Sequence, residues 1–433
     1  MPSAPGSSAS GSSASGSSPP PHPQGWRYVT LVWLTSRLFL ALVMVWLVPQ
    51  VTAPSDHFQP DQPWAVLTHW DGEWYESIAT QGYEFAPDGQ QYNVAFFPLF
   101  PLVVRLVMGM GLPFGAAAAL VSQGCFWLAL GQLYRWMVPT QGAGVARWSV
   151  LLLAWFPYSY YCSVAYTESL FLWVTVSALA AFDQGRYGWA GLWGALASAT
   201  RLPGIVLIPT FALLTAVQRR SPWGYGAALA SGGGVAAYSL YCGWALGAPL
   251  AFLQVQQAWG EPPRFWGEHW WNLGLKIILG RPNWKAGTLV DPSYPLIVLA
   301  LMGLAYGLWC WRSALGQPLW DGGLFLWVVA LWLLGGDDLL TLTLVAGGGL
   351  LFWHTRHSLN PTAWVYGCGG LLLILATGRT YSVNRLVFGI VSLTPALAVL
   401  LQRHPPYRYG TLAFFVLLLI THSIRFAQNL WVT

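Results

Sequence analysis

Apolar runs long enough to cross a bilayer recur throughout this chain, and they restrict its fold more than any other feature. The first, LVWLTSRLFLALVMVWLV, contains a single charged residue. Charged residues make up 8% of the 433 residues, whereas a soluble domain carries about a quarter. A transmembrane β-barrel would alternate polar and apolar residues, and these runs do not alternate. We therefore predict an all-α polytopic membrane protein and exclude a soluble fold and a nucleic-acid-binding surface.

The lengths of the runs set the number of helices. A spanning helix needs roughly 20 apolar residues, which leaves room for about 10–12 transmembrane helices, some of them half-helices. Residues 94–162 contain three apolar segments. Three crossings there would not fit the predicted alternation of outer and cytoplasmic turns, so we expect one segment, or the FPYSYY turn at 156–161, to be re-entrant. The predicted spans lie near 26–49, 94–112, 114–138, 146–162, 163–182, 187–217 (two halves), 223–246, 288–311, 319–353 (two halves), 362–378, 384–402 and 409–426.

The distribution of charge predicts which helix ends face the cytoplasm. Residues 50–93 hold seven of the fifteen acids and no Lys or Arg, so this first outer loop is predicted to lie outside the cytoplasm. Residues 1–25 are predicted to be a disordered, Ser/Gly/Pro-rich cytoplasmic tail, followed by one transmembrane domain over 26–433. Further outer tips are predicted near 163–169, 200–203, 247–287, 335–338 and 378–385. The predicted cytoplasmic side receives Arg186, Arg219, Arg220, Arg312, Arg356, Arg403 and Arg408.

The segment HWDGEWY at 69–75 is the strongest candidate for chemistry. Trp70, Trp74 and Ile78 recur at helical spacing, which predicts a short helix in the membrane interface with acids beside its apolar stripe. Asp71 begins this helix at headgroup depth, where it can meet a substrate that is half lipid and half sugar. The alternative is that Asp71 only closes a capping box with Thr68.

Other polar residues near the predicted outer tips are also candidates. Pro98 and Pro101 in AFFPLFPL kink the backbone at the mouth of a span, or simply punctuate an ordinary helix start. Glu168 stands at the beginning of an apolar run, where a helix dipole favours an acid, either as a cap or in the site. Arg201 is a cation at an outer boundary that pairs with Glu168 or holds a phosphate.

The outer loop 247–287 interleaves five Trp with amides and charges. This composition suits sugar rings and lipid headgroups, and it is equally typical of an interfacial aromatic belt. Arg379 and Arg385 lie at an outer turn without a nearby acid, so they are predicted either to bind phosphate or to anchor the chain at the interface. Asp337 and Asp338 form either a cation site or an ordinary outer turn.

Three motifs together resemble the PIG-V family of mannosyltransferases. They are HWDGEWYESIATQGYEF with AFFPLFP, then FPYSYYCSVAYTESLF, then ALASATRLPG, and they cover residues 60–210 densely. Weaker similarity follows in FLQVQQAW and near Arg385. That family has the GT-C membrane fold and adds the second mannose of the glycosylphosphatidylinositol anchor in eukaryotes, and bacterial relatives share the motifs. The resemblance implies a bacterial plasma membrane, or the endoplasmic reticulum of a eukaryote.

The resemblance also implies roles for individual residues. Asp71 matches the Asp of the Trp-Asp motif where GT-C enzymes place their catalytic carboxylate. Phe97, Pro98 and Pro101 match the Phe-Phe-Pro-x-x-Pro element. Glu168 and Ser169 match the Glu-Ser of a Tyr-Ser-Glu-Ser element, in which Thr167 replaces the first Ser. Arg201 matches the Arg after the next span. The predicted substrate-binding residues are His69, Trp70, Glu73, Trp74, Phe97, Pro98, Glu168, Ser169, Arg201, Gln257, Arg379 and Arg385.

The predicted function is an inverting glycosyltransferase that uses a polyprenyl-phosphate sugar. Asp71 is the predicted general base toward the hydroxyl of a glycolipid or other membrane-proximal acceptor, on the exoplasmic face. Arg201, Arg379 and Arg385 are predicted to stabilise the departing phosphate. No cofactor is certain. A divalent cation, Mg²⁺ or Mn²⁺, is the one candidate, since Asp71 and Glu73 resemble a metal pair but are too few to define a site. A transporter or flippase of lipid-linked sugars and a non-catalytic membrane scaffold are the alternatives.

Overall fold

The computed structural model describes residues 23–50, 63–260, 266–378, 380, 382–430 and 432, and within them the chain is helical without a strand. This confirms the predicted all-α class. The helices are α1 (Pro23–Ala41), α2 (Asp71–Thr80), α3 (Leu99–Met108), α4 (Phe114–Ala154), α5 (Glu168–Asp183), α6 (Tyr187–Thr200), α7 (Leu207–Val217), α8 (Trp223–Ser231), α9 (Gly233–Leu246), α10 (Ala251–Gln254), α11 (Glu268–Leu279), α12 (Arg281–Ala286), α13 (Ser293–Leu342), α14 (Gly348–Thr355), α15 (Pro361–Thr377), α16 (Val383–Phe388), α17 (Leu393–Arg403) and α18 (Tyr407–Ala427).

Kinks at glycines divide the two longest helices. Gly142 in α4 has φ 86°, and Gly316 and Gly336 in α13 have φ 70° and 52°. A positive φ departs from the α-helical path, and glycine adopts it without steric cost. The predicted break between the spans 288–311 and 319–353 therefore falls at Gly316. The predicted break between the two halves of 319–353 falls at Gly336.

Four helical segments of the described residues are long and apolar enough to cross a membrane. They are Gly25–Leu47, Phe114–Ala154, Ser293–Thr355 and Tyr407–Ala427, and the bent pair Trp223–Leu246 with Ala251–Trp259 would be a fifth. The segment Ser293–Thr355 has 63 residues, which is more than one crossing needs. Membrane-spanning helices are thus present, and the total of about 10–12 stays a prediction.

The short helix α3 is one candidate for the predicted re-entrant segment in residues 94–162. It has ten residues, which gives a length of about 15 Å, half of the roughly 30 Å of a bilayer core. The helical part of the third segment, residues 143–154 after the kink at Gly142, is also shorter than a crossing, so which of the segments is re-entrant stays a prediction.

A buried arginine fixes the irregular chain that leads to α5. Arg37 in α1 is 7% exposed, and its guanidinium donates to the backbone oxygens of Ala154 and Ser159, both at 2.8 Å, and to the hydroxyl of Ser163 at 3.1 Å. The guanidinium also lies 4.6 Å from the ring centroid of Phe126. Backbone that is not helical is tolerated at membrane depth where protein satisfies its polar groups, and Arg37 does this for the carbonyl groups of Ala154 and Ser159.

The helix α5 lies at the centre of the bundle. Every residue from Glu168 to Phe182 except Trp173 is buried, and α5 packs against α4, α6 and α15. A helix that is apolar on nearly all sides is expected where protein or lipid surrounds it, and here protein surrounds it. Because α5 begins at Glu168, this packing holds that carboxylate at a fixed place.

Two predicted boundaries change in the structure. The helix α1 begins at Pro23, so residues 23–25 are helical and not part of a disordered tail, while residues 1–22 lie outside the described residues. The predicted helix after Asp71 is present as α2, but Tyr75, Ile78 and Ala79 are buried in the protein core. Its apolar side therefore packs against protein.

Candidate active site

A cavity of about 990 Å³ lies where several predicted outer tips meet. Its wall combines residues of α2, the segment before α3, the turn between α6 and α7, the segment after α10, and α16. Segments far apart in sequence and predicted to share one side therefore share one cavity. The predicted site residues on its wall are Trp70, Asp71, Glu73, Trp74, Phe97, Arg201 and Arg385.

A strained turn places Asp71 at the cavity wall. Trp70, the residue before α2, has φ 58° and ψ −116°, a conformation that a residue with a side chain rarely adopts. The Asp71 N–H donates to Tyr166 Oη at 3.3 Å, and Tyr166 Oη donates to the His69 carbonyl oxygen at 3.4 Å. The N-cap position of α2 is Trp70, so Thr68 is not the residue that begins this helix.

Two carboxylates and two guanidiniums form one network at this wall. Arg385 donates to Asp71 Oδ2 through Nη1. The same guanidinium donates to Glu168 through Nε, and through Nη2 at 3.4 Å. Arg201 donates to Glu168 Oε1. The predicted pairing of Arg201 with Glu168 is therefore present, and Arg385, 217 residues from Glu168, joins it.

Exposure distinguishes the two acids of this network. The Glu168 side chain is fully buried, whereas that of Asp71 is 24% exposed and those of both arginines are 13% exposed. The Arg385 guanidinium also lies 4.4 Å from the ring centroid of Tyr166 and 5.4 Å from that of Tyr161, which restricts its plane. Asp71 is thus the accessible carboxylate, and Glu168 is the buried one that holds the arginines.

Tyr75 is a further polar group on the cavity wall. Burial raises the pKa of its phenol to about 12. At neutral pH the phenol therefore stays protonated and cannot accept a proton. The carboxylates that line the cavity are Asp71 and Glu73, so these two remain as candidate bases.

Three aromatic rings form another part of the wall. Trp74 lies 6.0 Å from Phe96 in a stacked arrangement and 5.7 Å from Trp259 in an edge contact, and Phe96 lies 5.8 Å from Trp259. The Tyr83 hydroxyl donates to the Phe96 carbonyl oxygen at 2.8 Å. We name Trp74, Phe96 and Trp259 the aromatic wall.

Five of the predicted site residues that the structure describes do not line the cavity. Glu168 is fully buried and binds both arginines from behind the wall. His69 is 6% exposed and lies 6.2 Å from the ring of Phe426, and burial lowers its pKa. Ser169 is buried and donates to the Cys162 carbonyl oxygen at 3.3 Å. Pro98 immediately precedes α3, and Gln257 is exposed. Arg379 lies outside the described residues.

Several residues of the site were not predicted from the sequence. Gln256, and not its neighbour Gln257, lines the cavity together with Tyr75, Phe96 and Trp259. Tyr166 lies in the motif FPYSYYCSVAYTESLF, and its place in that motif was the only signal for it. A lone arginine in the first apolar run was an available signal for Arg37, since buried charges in spans are expensive.

The adjacent acids Asp337 and Asp338 accept hydrogen bonds from basic side chains. Asp337 accepts from Arg425 at 2.7 Å and from His422 at 3.3 Å, and Asp338 accepts from Arg281 at 2.8 Å. They lie within α13 beside its kink and not in a loop. In the described residues no group of three or more His, Cys, Asp or Glu side chains could hold a metal ion, so the divalent cation stays a prediction.

Comparison with known proteins gives one family and several relatives. Residues 59–219 match the model of the family described as Mannosyltransferase (PIG-V), which confirms the resemblance over that segment. The mouse protein GPI alpha-1,6-mannosyltransferase 2 is 34% identical over 154 residues, and the rat protein is 30% identical over 156 residues. These matches cover 32% and 33% of this chain but only 30% of each relative.

Solved structures give a weaker similarity over more of the chain. The oligosaccharyltransferase AglB of Archaeoglobus fulgidus, in complex with an inhibitory peptide and a dolichol-phosphate, is 15% identical with a TM-score of 0.44. The comparison covers 93% of this chain and 55% of that one. The apo form of the Archaeoglobus fulgidus oligosaccharyltransferase gives a TM-score of 0.43 at 14% identity, covering 92% and 55%. A TM-score below 0.5 does not establish a shared fold.

Proposed function

We propose that this chain is an inverting glycosyltransferase of the GT-C type that moves a mannose from a polyprenyl-phosphate carrier to a membrane-proximal hydroxyl. The observation that carries the proposal is the position of Asp71. A carboxylate from the family motif lies on the wall of a large cavity, beside two guanidiniums and the aromatic wall.

Asp71 is the general base in this proposal. The acceptor hydroxyl gives its proton to Asp71 while its oxygen forms a bond to the anomeric carbon of the sugar. The bond from that carbon to the phosphate oxygen breaks, and the phosphate leaves with the electron pair. A single direct displacement inverts the anomeric carbon and needs one base, since the phosphate departs without a general acid.

Arg201 and Arg385 supply positive charge for the departing phosphate. Both line the cavity and both are held by the buried Glu168. Donors that are fixed before the reaction stabilise developing charge without a cost of reorganisation. Guanidinium forks also match the geometry of phosphate oxygens.

The aromatic wall offers a surface for a sugar ring. Trp74, Phe96 and Trp259 present apolar faces next to Gln256 and the accessible Asp71. Hydrophobic cavities with a few placed polar groups are the usual form of a site for a small organic ligand. We assign this part of the cavity to the sugar of the acceptor or the donor.

The proposed site faces the exoplasmic side of the membrane. The acidic segment 50–93, which has no Lys or Arg, carries the signal for the outer side, and its helix α2 forms part of the cavity wall. The cation-rich turns, such as the one at Arg219 and Arg220, lie on other segments. Cysteine substitution at Glu76 and at Arg219, followed by labelling of intact cells with a membrane-impermeant maleimide, is expected to label the first position only.

A transporter of lipid-linked sugars is the second candidate. Half-helices such as α3 and a cavity between helices are common in transporters. The acids of the described cavity cluster at one end of α5, beside Glu168, which favours chemistry at one face over passage through the membrane.

The proposed function is tested by a transfer assay with the purified full chain and by glycan analysis. We expect the wild type to move labelled mannose from polyprenyl-phosphate mannose to host membrane lipids. Asp71→Asn is expected to lose about 10²–10⁴-fold in rate, while Glu73→Gln keeps most of it. Mass spectrometry of lipid-linked glycans from a deletion host should show a product that lacks one hexose. Full transfer by Asp71→Asn would remove Asp71 as the base.

A further inference from the structure

Arg385 serves two carboxylates at once, and only one of them is accessible from the cavity. Its Nη1 donates to Asp71, while Nε and Nη2 donate to Glu168. Asp71 is 24% exposed and Glu168 is fully buried. The arginine therefore neutralises the carboxylate that the proposed reaction needs as a base. The hydrogen bond from Nη1 occupies Oδ2, one of the two oxygens through which Asp71 would accept the proton.

The charges of the network balance without a substrate. Asp71 and Glu168 contribute two negative charges, and Arg201 and Arg385 contribute two positive ones. A polyprenyl phosphodiester brings one more negative charge into this neutral group. Since Arg385 lines the cavity, a phosphate bound there competes with Asp71 for the same guanidinium.

We propose that Arg385 exchanges partners, from Asp71 to the donor phosphate, so that the donor binds before Asp71 becomes competent as a base. The exchange presupposes the proposed function and adds an order of events to it. The acceptor meets an active base only after the donor is in place, and this order keeps Asp71 inactive while the site holds no activated sugar.

Glu168 makes the exchange geometrically simple. It keeps Nε and Nη2 of Arg385 bound while Nη1 changes its partner. Arg201 binds Glu168 as well, so the buried acid stays neutralised throughout. The rings of Tyr161 and Tyr166 lie over the guanidinium and limit its motion to a small rotation. Glu168 and Tyr166 are thus positioning residues, since they act through Arg385.

During transfer, negative charge is lost at Asp71 and gained at the phosphate, the two groups between which Arg385 exchanges. As the acceptor hydroxyl transfers its proton to Asp71, that carboxylate loses its negative charge. As the bond between the sugar and the phosphate oxygen breaks, the phosphate gains one. Arg385 then stands beside the group whose charge grows, and its former partner no longer needs a cation.

Binding of farnesyl phosphate to the purified full chain in nanodiscs tests the exchange. Because Asp71→Asn removes the competitor for Arg385, we expect this variant to bind farnesyl phosphate about tenfold more tightly than the wild type, although it no longer transfers mannose. A variant that is catalytically inactive yet binds the carrier more tightly is the distinctive result. Equal or weaker binding by Asp71→Asn would overturn the exchange.

A double-mutant cycle separates the exchange from a general loss of negative charge. In the Arg385→Gln background, Asp71→Asn should give no gain, and a gain that persists there would overturn the proposal. Glu73→Gln is the matched control, because it removes a carboxylate from the same cavity wall without touching Arg385. It is expected to give a clearly smaller gain, and an equal gain would count against the exchange.

Two control ligands and a replacement variant complete the experiment. Farnesol and inorganic phosphate test whether the protein recognises the lipid or the phosphate of the ligand. If Asp71→Asn bound inorganic phosphate more tightly than the wild type does, but not farnesyl phosphate, this would contradict a lipid-linked donor. If Asp71→Asn does not fold, Asp71→Ser replaces it. If the wild type binds no farnesyl phosphate, the proposed donor fails too. If the wild type binds it and transfers mannose while Asp71→Asn gains nothing, only the exchange fails.

Discussion

The two ends of α5 each carry a carboxylate bound to arginine, and the two serve different purposes. Glu168 begins the helix, where the helix dipole stabilises an acid, and Asp183 ends it, where the dipole opposes one. Fifteen residues separate them along α5, which is about 22 Å. Glu168 binds two arginines that line the cavity, while the partners of Asp183 do not line it.

The partners of Asp183 tie four parts of the chain together. Its carboxylate accepts from the Trp136 indole at 2.8 Å, from Asn360 at 2.9 Å and from the Thr362 hydroxyl. Arg220 adds a contact at 3.4 Å and donates to the Phe182 carbonyl oxygen at 2.9 Å. A largely buried acid with an arginine is therefore no sign of a catalytic site by itself. The open space in front of the arginines makes the difference.

Asp183→Ala is expected to give the largest effect, and it acts on stability. The substitution leaves the donors of Trp136, Asn360, Thr362 and Arg220 without their acceptor, and breaking a buried ion pair costs about 3–5 kcal/mol. Unfolding of the purified chain in mixed micelles measures the loss. The rate of transfer per folded molecule should stay near that of the wild type, and Asp183→Asn, which keeps an acceptor oxygen, should lose less.

The opposite outcome would contradict the structural role that we assign to Asp183. A variant Asp183→Ala with unchanged unfolding but slower transfer would place Asp183 in the path of the reaction.

Glu168→Gln tests the other end of α5 and is expected to reduce catalysis. Arg201 and Arg385 lose the acid that orients them, and misplacement of catalytic groups by about 1 Å can cost about 10²-fold. Stability should fall less than in Asp183→Ala, because both arginines are next to the cavity and Arg385 keeps Asp71. Turnover and unfolding are measured on the same preparation. A loss of stability without a loss of turnover would make both ends of α5 structural.

Two substitutions of arginine by lysine make a matched pair. Arg385→Lys keeps the charge but removes the fork that serves Asp71 and Glu168 together. Since a hydrogen bond to a charged group contributes about 1.5–3 kcal/mol, we expect turnover to fall by roughly tenfold or more. Arg220→Lys should lower the free energy of unfolding by about 1 kcal/mol and leave turnover unchanged. Equal effects of both variants on turnover would remove the distinction between the two ends.

The sequence predicts the helices and the acid of the site better than it predicts the partners. Apolar runs identify helices because burial in lipid requires them, and the predicted span 362–378 agrees with α15, Pro361–Thr377. Asp71 and Glu168 were identified because acids are rare in this chain. The pairing of Asp71 with Arg385 joins residues 314 apart, and no local pattern encodes such a distance.

Other features depend on packing that a sequence does not show. Trp70, with its strained φ, lies between two residues that hydrogen-bond to Tyr166, and Tyr166 comes from a different segment. The predicted span 384–402 is divided into α16 and α17, and hydropathy alone does not reveal that break. The role of Asp183 was not predicted, since a single acid at the end of a helix is typical of a solvent-exposed turn.

The smallest expected effect on kinetics comes from substituting Gln256, one of two adjacent glutamines beside the aromatic wall. Gln256 and Gln257 lie in the 3₁₀ helix Val255–Trp259, in which successive side chains point about 120° apart. Gln256 lines the cavity and Gln257 is exposed. Gln256→Ala should therefore raise the KM for the acceptor by a few-fold, as loss of one hydrogen bond of about 0.5–1.5 kcal/mol implies, with little change in kcat. Gln257→Ala should change neither constant. If Gln257→Ala raised the KM instead, this helix would have to turn when substrate binds, because only rotation brings that amide to the aromatic wall.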